Sequence, residues 1–322
     1  MFRMDVHPVR DGIPSERRGS FGAKRQTDAS GDEGELPARS QSDFGLFYTS
    51  LIYAIISVML LNIEDLDVVF RGENGEVTQA ANDVNLTLER GEVLGIVGES
   101  GSGKSSVAMS VARLLPSPPA FYPKGRIRLD GEDVLTMKID AVRRIRGKKI
   151  GVVFQDPMGS LSPLWRIGDQ LVEAVRLHED VSKSAARALA VEWLGKVGIP
   201  DPAARAMAYP HELSGGMQQR VMIAMALMLG PELVIADEPT TALDVTIQAQ
   251  VLRLMKDLHR ANSAIMLITH DLGVVSQMAT RIAVMRQGRI VEIAENPEEF
   301  FNNPKHPYSR TLVGEAKKME LK

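Results

Sequence analysis

Gly98-Glu99-Ser100-Gly101-Ser102-Gly103-Lys104-Ser105 fits G-x-x-x-x-G-K-[ST] at every fixed position, and each fixed residue has a chemical reason to be there. Glycines let the backbone N–H groups of Gly101, Gly103 and Lys104 turn inward around phosphate oxygens, and the helix that comes next adds a favourable dipole for a polyanion. Lys104 brings a point charge for β- and γ-phosphates, and the Ser105 hydroxyl is the expected Mg²⁺ ligand. With Glu99, Ser100, Ser102 and Ser106 filling out the segment, it reads as a phosphate cradle. The plainer alternative is a Gly/Ser turn ahead of a helix.

A second cluster closes the apolar run Leu233-Val234-Ile235-Ala236-Asp237-Glu238. Neighbouring side chains at a strand end point in different directions, so two adjacent carboxylates can divide labour. Asp237 would join the Mg²⁺ shell, while Glu238 would accept a proton from, or orient, the water attacking a γ-phosphate. Alone, such acids serve equally as caps of the next helix. A third cluster, Leu213-Ser214-Gly215-Gly216-Met217-Gln218-Gln219-Arg220, puts a hydroxyl and two unhindered N–H groups at a helix start, as an ordinary serine cap also would. As an anion site it would serve a neighbouring subunit's nucleotide, because this chain already has its own cradle.

The elements needed to position these residues are written in the hydrophobic pattern. Ile63, Leu66, Val68 and Phe70 alternate with polar residues before the turn Gly72 to Gly75, and Val84, Leu86 and Leu88 alternate before Arg90-Gly91, which predicts an antiparallel β layer. Val93 to Val97 is a wholly apolar strand feeding the glycine loop and a helix predicted over Ser105 to Leu115. Buried strands at Ile150 to Phe154, Leu233 to Ala236 and Ile265 to Thr269, with a helical pattern over Val245 to Arg260, predict a parallel, doubly wound core with a helix-rich insert of about 156–229.

Composition sets the outer bounds. With 322 residues there is length for two lobes, and 38 Lys+Arg against 41 Asp+Glu leave a net charge of -3, which excludes a strongly basic DNA-binder. No nucleic-acid partner is expected. Zero cysteines exclude disulfides, thiolate zinc sites and Cys-ligated iron–sulfur clusters, and fit a reducing compartment. Residues 1–45 hold 6 Gly, 5 Ser, 3 Pro and 15 charged residues without apolar period, so residues 1–58 read as a disordered or extraneous extension. Within it begins the uncharged run Leu46 to Leu61, about 24 Å as a helix and short for a span. Membrane-surface association and local packing both remain open for that run.

Taken together the motifs resemble those of ATP-binding-cassette (ABC) ATPases over about Met59 to Leu312, with Leu213 to Arg220 similar to that family's signature loop. The resemblance implies an α/β fold: a P-loop NTPase (RecA-like) core with an antiparallel β subdomain and an inserted α-helical signature subdomain, here within 59–295. It also implies roles. Gln155 is similar to the Q-loop glutamine that contacts Mg²⁺ and the attacking water, Asp244 lies in a D-loop-like Thr241-Ala242-Leu243-Asp244, and His270 is similar to the switch histidine at the γ-phosphate. Phe70 is the candidate for stacking on adenine. Catalysis would then rest on Glu238, His270 and Gln155, and Mg²⁺ on Ser105, Gln155 and Asp237.

Gln155 to Pro163, Ala236 to Thr246 and Asn303-Pro304-Lys305-His306-Pro307-Tyr308 resemble the dipeptide/oligopeptide importer ATPases, a class that includes nickel importers. Residues 296–322 would be that class's C-terminal tail, here without the cysteine-rich cluster site many members carry. The resemblance implies an energy-coupling ATPase using ATP and Mg²⁺ at the cytoplasmic face of a bacterial inner membrane. Its partners would be a second ATPase subunit that supplies Ser214 to Gly216, two permease subunits contacted through Met158 to Arg166, and a solute-binding protein. A soluble ABC ATPase acting on nucleic acid or ribosomes is the alternative from another class.

Overall fold

In the computed structural model, which describes residues 59–240, Leu243, 245–259 and 263–320, alternation builds the first sheet. Strand β1 (Met59–Arg71) buries Leu61, Ile63, Leu66 and Val68 and pairs antiparallel with β2 (Val77–Glu89), which buries Val84, Leu86 and Leu88. Short strands β4 (Ala120–Phe121), β5 (Arg126–Leu129) and β6 (Glu132–Asp133) complete this five-stranded antiparallel layer. The last three residues of the apolar run, Met59 to Leu61, open β1; the rest of the run and the extension lie outside the described residues.

The second sheet has six strands in the order β11-β10-β3-β9-β8-β7. Here β3 (Val93–Val97), β7 (Ile150–Val153), β8 (Leu233–Asp237), β9 (Ala264–Thr269) and β10 (Arg281–Arg286) run parallel, and β11 (Arg289–Ala294) is an antiparallel edge. β3, β8 and β9 are buried along their whole length, which is why they read as unbroken apolar runs. One face of the sheet, with Leu94, Ile96, Ile235 and Ile268, shares a core with the antiparallel layer and α1 (Lys104–Val111). The other face, with Val234, Ala236, Ile265 and Leu267, packs on the helical insert and α8 (Val245–Leu258).

Helix α1 stops at Val111, short of the expected Leu115, because Arg113 turns to a left-handed φ of 48° and the N–H groups of Arg113 and Leu114 close the end on the carbonyls of Ser110 and Met109. Arg146, next to α2 (Ile139–Ile145), donates from Nε to the Ala112 carbonyl at 2.8 Å and also hydrogen-bonds the Arg113 carbonyl. The insert between β7 and β8 contains α3 (Pro157–Ser160), α4 (Ile167–Arg176), α5 (Lys183–Lys196), α6 (Pro202–Arg205) and α7 (Gly215–Leu227). Its apolar stripe of Leu171, Val175, Ala190, Leu194 and Val221 is fully buried.

The described part of the C-terminal segment, up to residue 320, is packed against the parallel sheet. After α9 (Leu272–Met278), β10 and β11, helices α10 (Pro297–Asn302) and α11 (Pro307–Glu320) bury Phe300, Tyr308 and Val313 against Val97, Val275, Ile282 and Val284. The clamp is Glu292 on β11, whose carboxylate accepts from Lys305 N at 2.9 Å and His306 N at 2.8 Å. Burial pushes this carboxyl up, but the adjoining Ser309 hydroxyl and the two backbone donors outweigh it and hold it below its ordinary range. A carboxyl depressed in the folded state stabilises above its unfolded pKa and ceases to do so as pH falls through the folded value. Glu292→Gln should therefore lower unfolding free energy by about 1–3 kcal/mol at neutral pH, and the gap should close in acid; denaturant titration at about pH 7 and about pH 3 checks it. A pH-independent gap would contradict the carboxylate clamp.

Candidate functional site

The loop from β3 into α1 can only be built from glycine at its turns. Gly103 sits at φ 103°, and a Cβ there would lie 2.0 Å from the Ala80 carbonyl oxygen; at Gly98 it would lie 2.1 Å from that of Met285. Lys104, only 4% exposed, reaches back through the loop and donates from Nζ to the carbonyls of Gly98 at 2.7 Å and Glu99 at 2.8 Å. Burial pulls its pKa below the ordinary lysine value, while the carboxylates of Glu238, Asp237 and Glu99 oppose that shift.

The carboxylate pair divides as its strand-end position predicts. Asp237, the last residue of β8, is buried and accepts from Ser105 Oγ at 2.9 Å, which ties α1 to a strand two places away in the sheet. Burial raises its pKa, and the Ser105 hydrogen bond works against the rise. Glu238 leaves the strand at φ 46°, a left-handed conformation that costs a non-glycine residue about 1–3 kcal/mol. Its N–H still pairs with the Ile268 carbonyl at 2.8 Å, so the sheet fixes the backbone while the carboxylate faces the cleft. There it accepts from Gln155 Nε2 at 3.2 Å, and its other oxygen lies 3.1 Å from His270 Nδ1. Gln155 follows β7 and His270 follows β9, so three neighbouring strands deliver these groups to one point.

Lys104, Ser105, Ser106, Gln155, Glu238 and His270 line one cleft of about 720 Å³ together with Gly98 to Gly101. Its far walls are Thr78 to Ala80 of β2 and Leu312 and Glu315 of α11, none of which carries a motif that would single it out in the sequence. Phe70 stands beside this wall. It sits half-buried in β1 against the antiparallel core, opposite Thr78 in the β1–β2 register. Ser214, Gly215 and Gly216 lie away from the cleft, where Ser214 Oγ caps α7 by accepting from Met217 N at 3.4 Å. The motif's next residues are tethers: Gln218 Nε2 donates to the Pro210 carbonyl at 2.9 Å, and Gln219 Nε2 to that of Pro239 at 2.6 Å, just past Glu238. Asp244 lies outside the described residues.

Residues 81–241 match the family described as ABC transporter. Oligopeptide transport ATP-binding protein OppD of Bacillus subtilis (strain 168) is 50% identical over 262 residues, 81% of this chain and 73% of that protein. The chain belongs to the ABC transporter ATP-binding family. Dipeptide transport ATP-binding protein DppD of the same organism is 47% identical to this ABC protein over 263 residues, 81% of the chain and 78% of DppD. Among solved structures, a dimeric ATP-binding cassette in a post-hydrolysis state bound to ADP and Pi matches with a TM-score of 0.66 at 28% identity, covering 74% of this chain and 99% of that one. The fold is an ABC ATPase cassette and the chain is an ATPase.

The loop geometry makes an unequal pair of glycine substitutions. Gly103→Ala should cost about 2 kcal/mol or more, because the new methyl meets a backbone oxygen as well as a left-handed φ. Gly101→Ala, with φ 79° but nothing within 4 Å, should cost about 1 kcal/mol. Thermal melts read the difference; equal stability of the two variants would contradict the close approach at Ala80.

Proposed function

We propose that this chain is the ATP-hydrolysing subunit that couples energy to an importer of di- or oligopeptides, working as one of two cassettes beneath two membrane permease subunits and a solute-binding protein. One observation carries the chemistry: the Glu238 carboxylate is held between Gln155 and His270 in a cleft also lined by Lys104 and by Ser105, whose hydroxyl is bonded to Asp237. ATP enters with its triphosphate wrapped by Gly98 to Ser106, and the Lys104 ammonium exchanges its loop carbonyls for phosphate oxygens. The hydroxyl of Ser105 and the carboxylate of Asp237 are hard oxygen donors already 2.9 Å apart, a set that suits Mg²⁺, with the Gln155 amide oxygen a third. Bound there, Mg²⁺ would neutralise charge on the phosphates.

Glu238 takes a proton from a water as the water's oxygen bonds to the γ-phosphorus and the bond to the β-phosphate oxygen breaks, leaving ADP and phosphate. Gln155 orients that water, and His270 holds Glu238 and the γ-phosphate. Ser214 and Gly215, exposed at the start of α7, and the half-buried Gly216 lie outside this cleft's lining and serve the nucleotide of the partner cassette, so each site needs two chains.

Docking to the permeases falls to the insert. Directly after Gln155 it exposes Met158 at 69%, Leu164 at 84% and Trp165 at 51%, beside an apolar groove lined by Phe154, Leu161, Leu177 and Met225. Among the described residues no helix is long and apolar enough to cross a membrane, and peripheral attachment at the inner face through this groove supplies the location. The peptide cargo is drawn from the names of the relatives, which are oligopeptide and dipeptide transport proteins.

Lys104→Ala tests the assignment at both levels. Purified with its partners, the variant should lose ATPase activity by at least about 10²-fold, and cells depending on it should stop accumulating labelled di- and oligopeptides. Parental hydrolysis would overturn the site. Lost hydrolysis with undiminished peptide uptake would overturn the cargo.

A further inference from the structure

The structure assigns Tyr308 as the residue that holds the phosphate loop in its binding conformation, which makes the C-terminal helix part of the nucleotide site. The assignment rests on the reading of the cleft as the ATP site. His306 caps α11 by accepting from Tyr308 N at 3.2 Å, and Pro307 takes the first helical position, where a missing N–H costs nothing. That start fixes the direction in which Tyr308 leaves the helix. Its ring is 5% exposed and sits 4.7 Å beneath the Arg286 guanidinium, and its hydroxyl oxygen accepts from the backbone N–H of Glu99 at 2.9 Å.

Glu99 is the second residue of the loop, and its N–H is therefore committed to the helix. The other end of the same turn is held from the β10–β11 connection, where Gly288 N donates to the Ser102 carbonyl at 2.9 Å. Arg286 closes β10 just before that connection, so the stacked Arg286–Tyr308 pair joins both supports. One turn and two turns further along α11, Leu312 and Glu315 form a wall of the cleft. Glu292, on the opposite side, fastens the turn that launches the helix. A loop that must present several N–H groups to phosphate is thus braced at Glu99 by a side chain 209 residues away in sequence.

Tyr308 does not line the cleft and its hydroxyl is bonded to the Glu99 N–H, so it acts through the loop. Without its hydroxyl the loop would spend part of its time in conformations that do not bind, which weakens apparent affinity without changing chemistry once the phosphates have ordered it. Tyr308→Phe keeps the ring under Arg286 and removes only the acceptor. In the full chain it should raise KM for ATP about 3- to 10-fold while kcat stays within about 2-fold, and amide exchange over residues 98–104 should quicken without nucleotide and return to the parental rate at saturating Mg-ATP. A purely structural role would lower the melting temperature and leave KM unchanged, and that result would overturn the assignment. So would a kcat loss at constant KM.

Coupling is reciprocal, so the parental protein provides a second measurement that needs no variant. Mg-ATP should slow exchange across residues 306–316 as well as across 98–105. Protection of the loop alone would refute the brace and leave the ATP site standing. If the parental protein neither binds nor hydrolyses ATP, the cleft reading itself falls, and the brace falls with it.

Discussion

A single hydrogen bond, Ser105 Oγ to Asp237 Oδ1 at 2.9 Å, joins the two halves of the chemistry. It spans from the helix after β3 to the tip of β8, with β9 lying between them in the sheet. The bond forms only if the three strands end at the same level and the glycine loop turns tightly enough to set α1 over them. Both conditions are met by packing: the strands are buried on both faces, and Gly98 and Gly103 approach the backbones of Met285 and Ala80 too closely for any side chain. Removing Asp237 from water disfavours its charge, which a hydroxyl donor partly offsets and a divalent cation would offset further.

Beyond that bond, the cleft gathers strain and charge at one rim. Glu238 keeps its sheet hydrogen bond to Ile268 while adopting a left-handed φ, a strain that turns its carboxylate toward Gln155 and His270. Each of those partners is the first or second residue after a parallel strand, so a small shift of the insert behind Gln155 or of α9 behind His270 moves a ligand of the same carboxylate. Gln219 adds a third lever, because it binds α7 to the Pro239 carbonyl next to Glu238. Through these ties, motion of the helical insert has a direct mechanical route to the Glu238 carboxylate.

The parts legible in the sequence are those with local rules. Strand alternation in β1 and β2, the apolar runs of β3, β8 and β9, and the glycine loop with its lysine all follow from short-range periodicity and backbone chemistry. What the sequence hides is set by distant partners. Helix α1 ends early at the left-handed Arg113, and the two carbonyls just past its end are held by Arg146, more than thirty residues on. The C-terminal residues, a tail by resemblance, are packed into the core because Glu292 clamps the turn before α11, and nothing in the composition of that segment reveals the clamp. Phe70, a base-stacking candidate by resemblance alone, is half-buried against the antiparallel core and pairs in register with Thr78 of the cleft wall, a placement that only the strand pairing shows. Leu312 and Glu315 carry no motif at all, since they reach the cleft only through the docking of α11.

In the proposed mechanism Glu238 handles the water while Lys104, Ser105 and Asp237 hold the nucleotide, and single-turnover measurement on Glu238→Gln separates the two roles directly. With Mg-ATP in excess, the variant should bind ATP at near-parental affinity and form an ATP-dependent pair of cassettes, or a pair with a paralogous cassette. Hydrolysis should be slower by about 10²- to 10⁴-fold, the range for loss of a positioned acid–base group. Hydrolysis at the parental rate by a folded Glu238→Gln protein would contradict this division of roles.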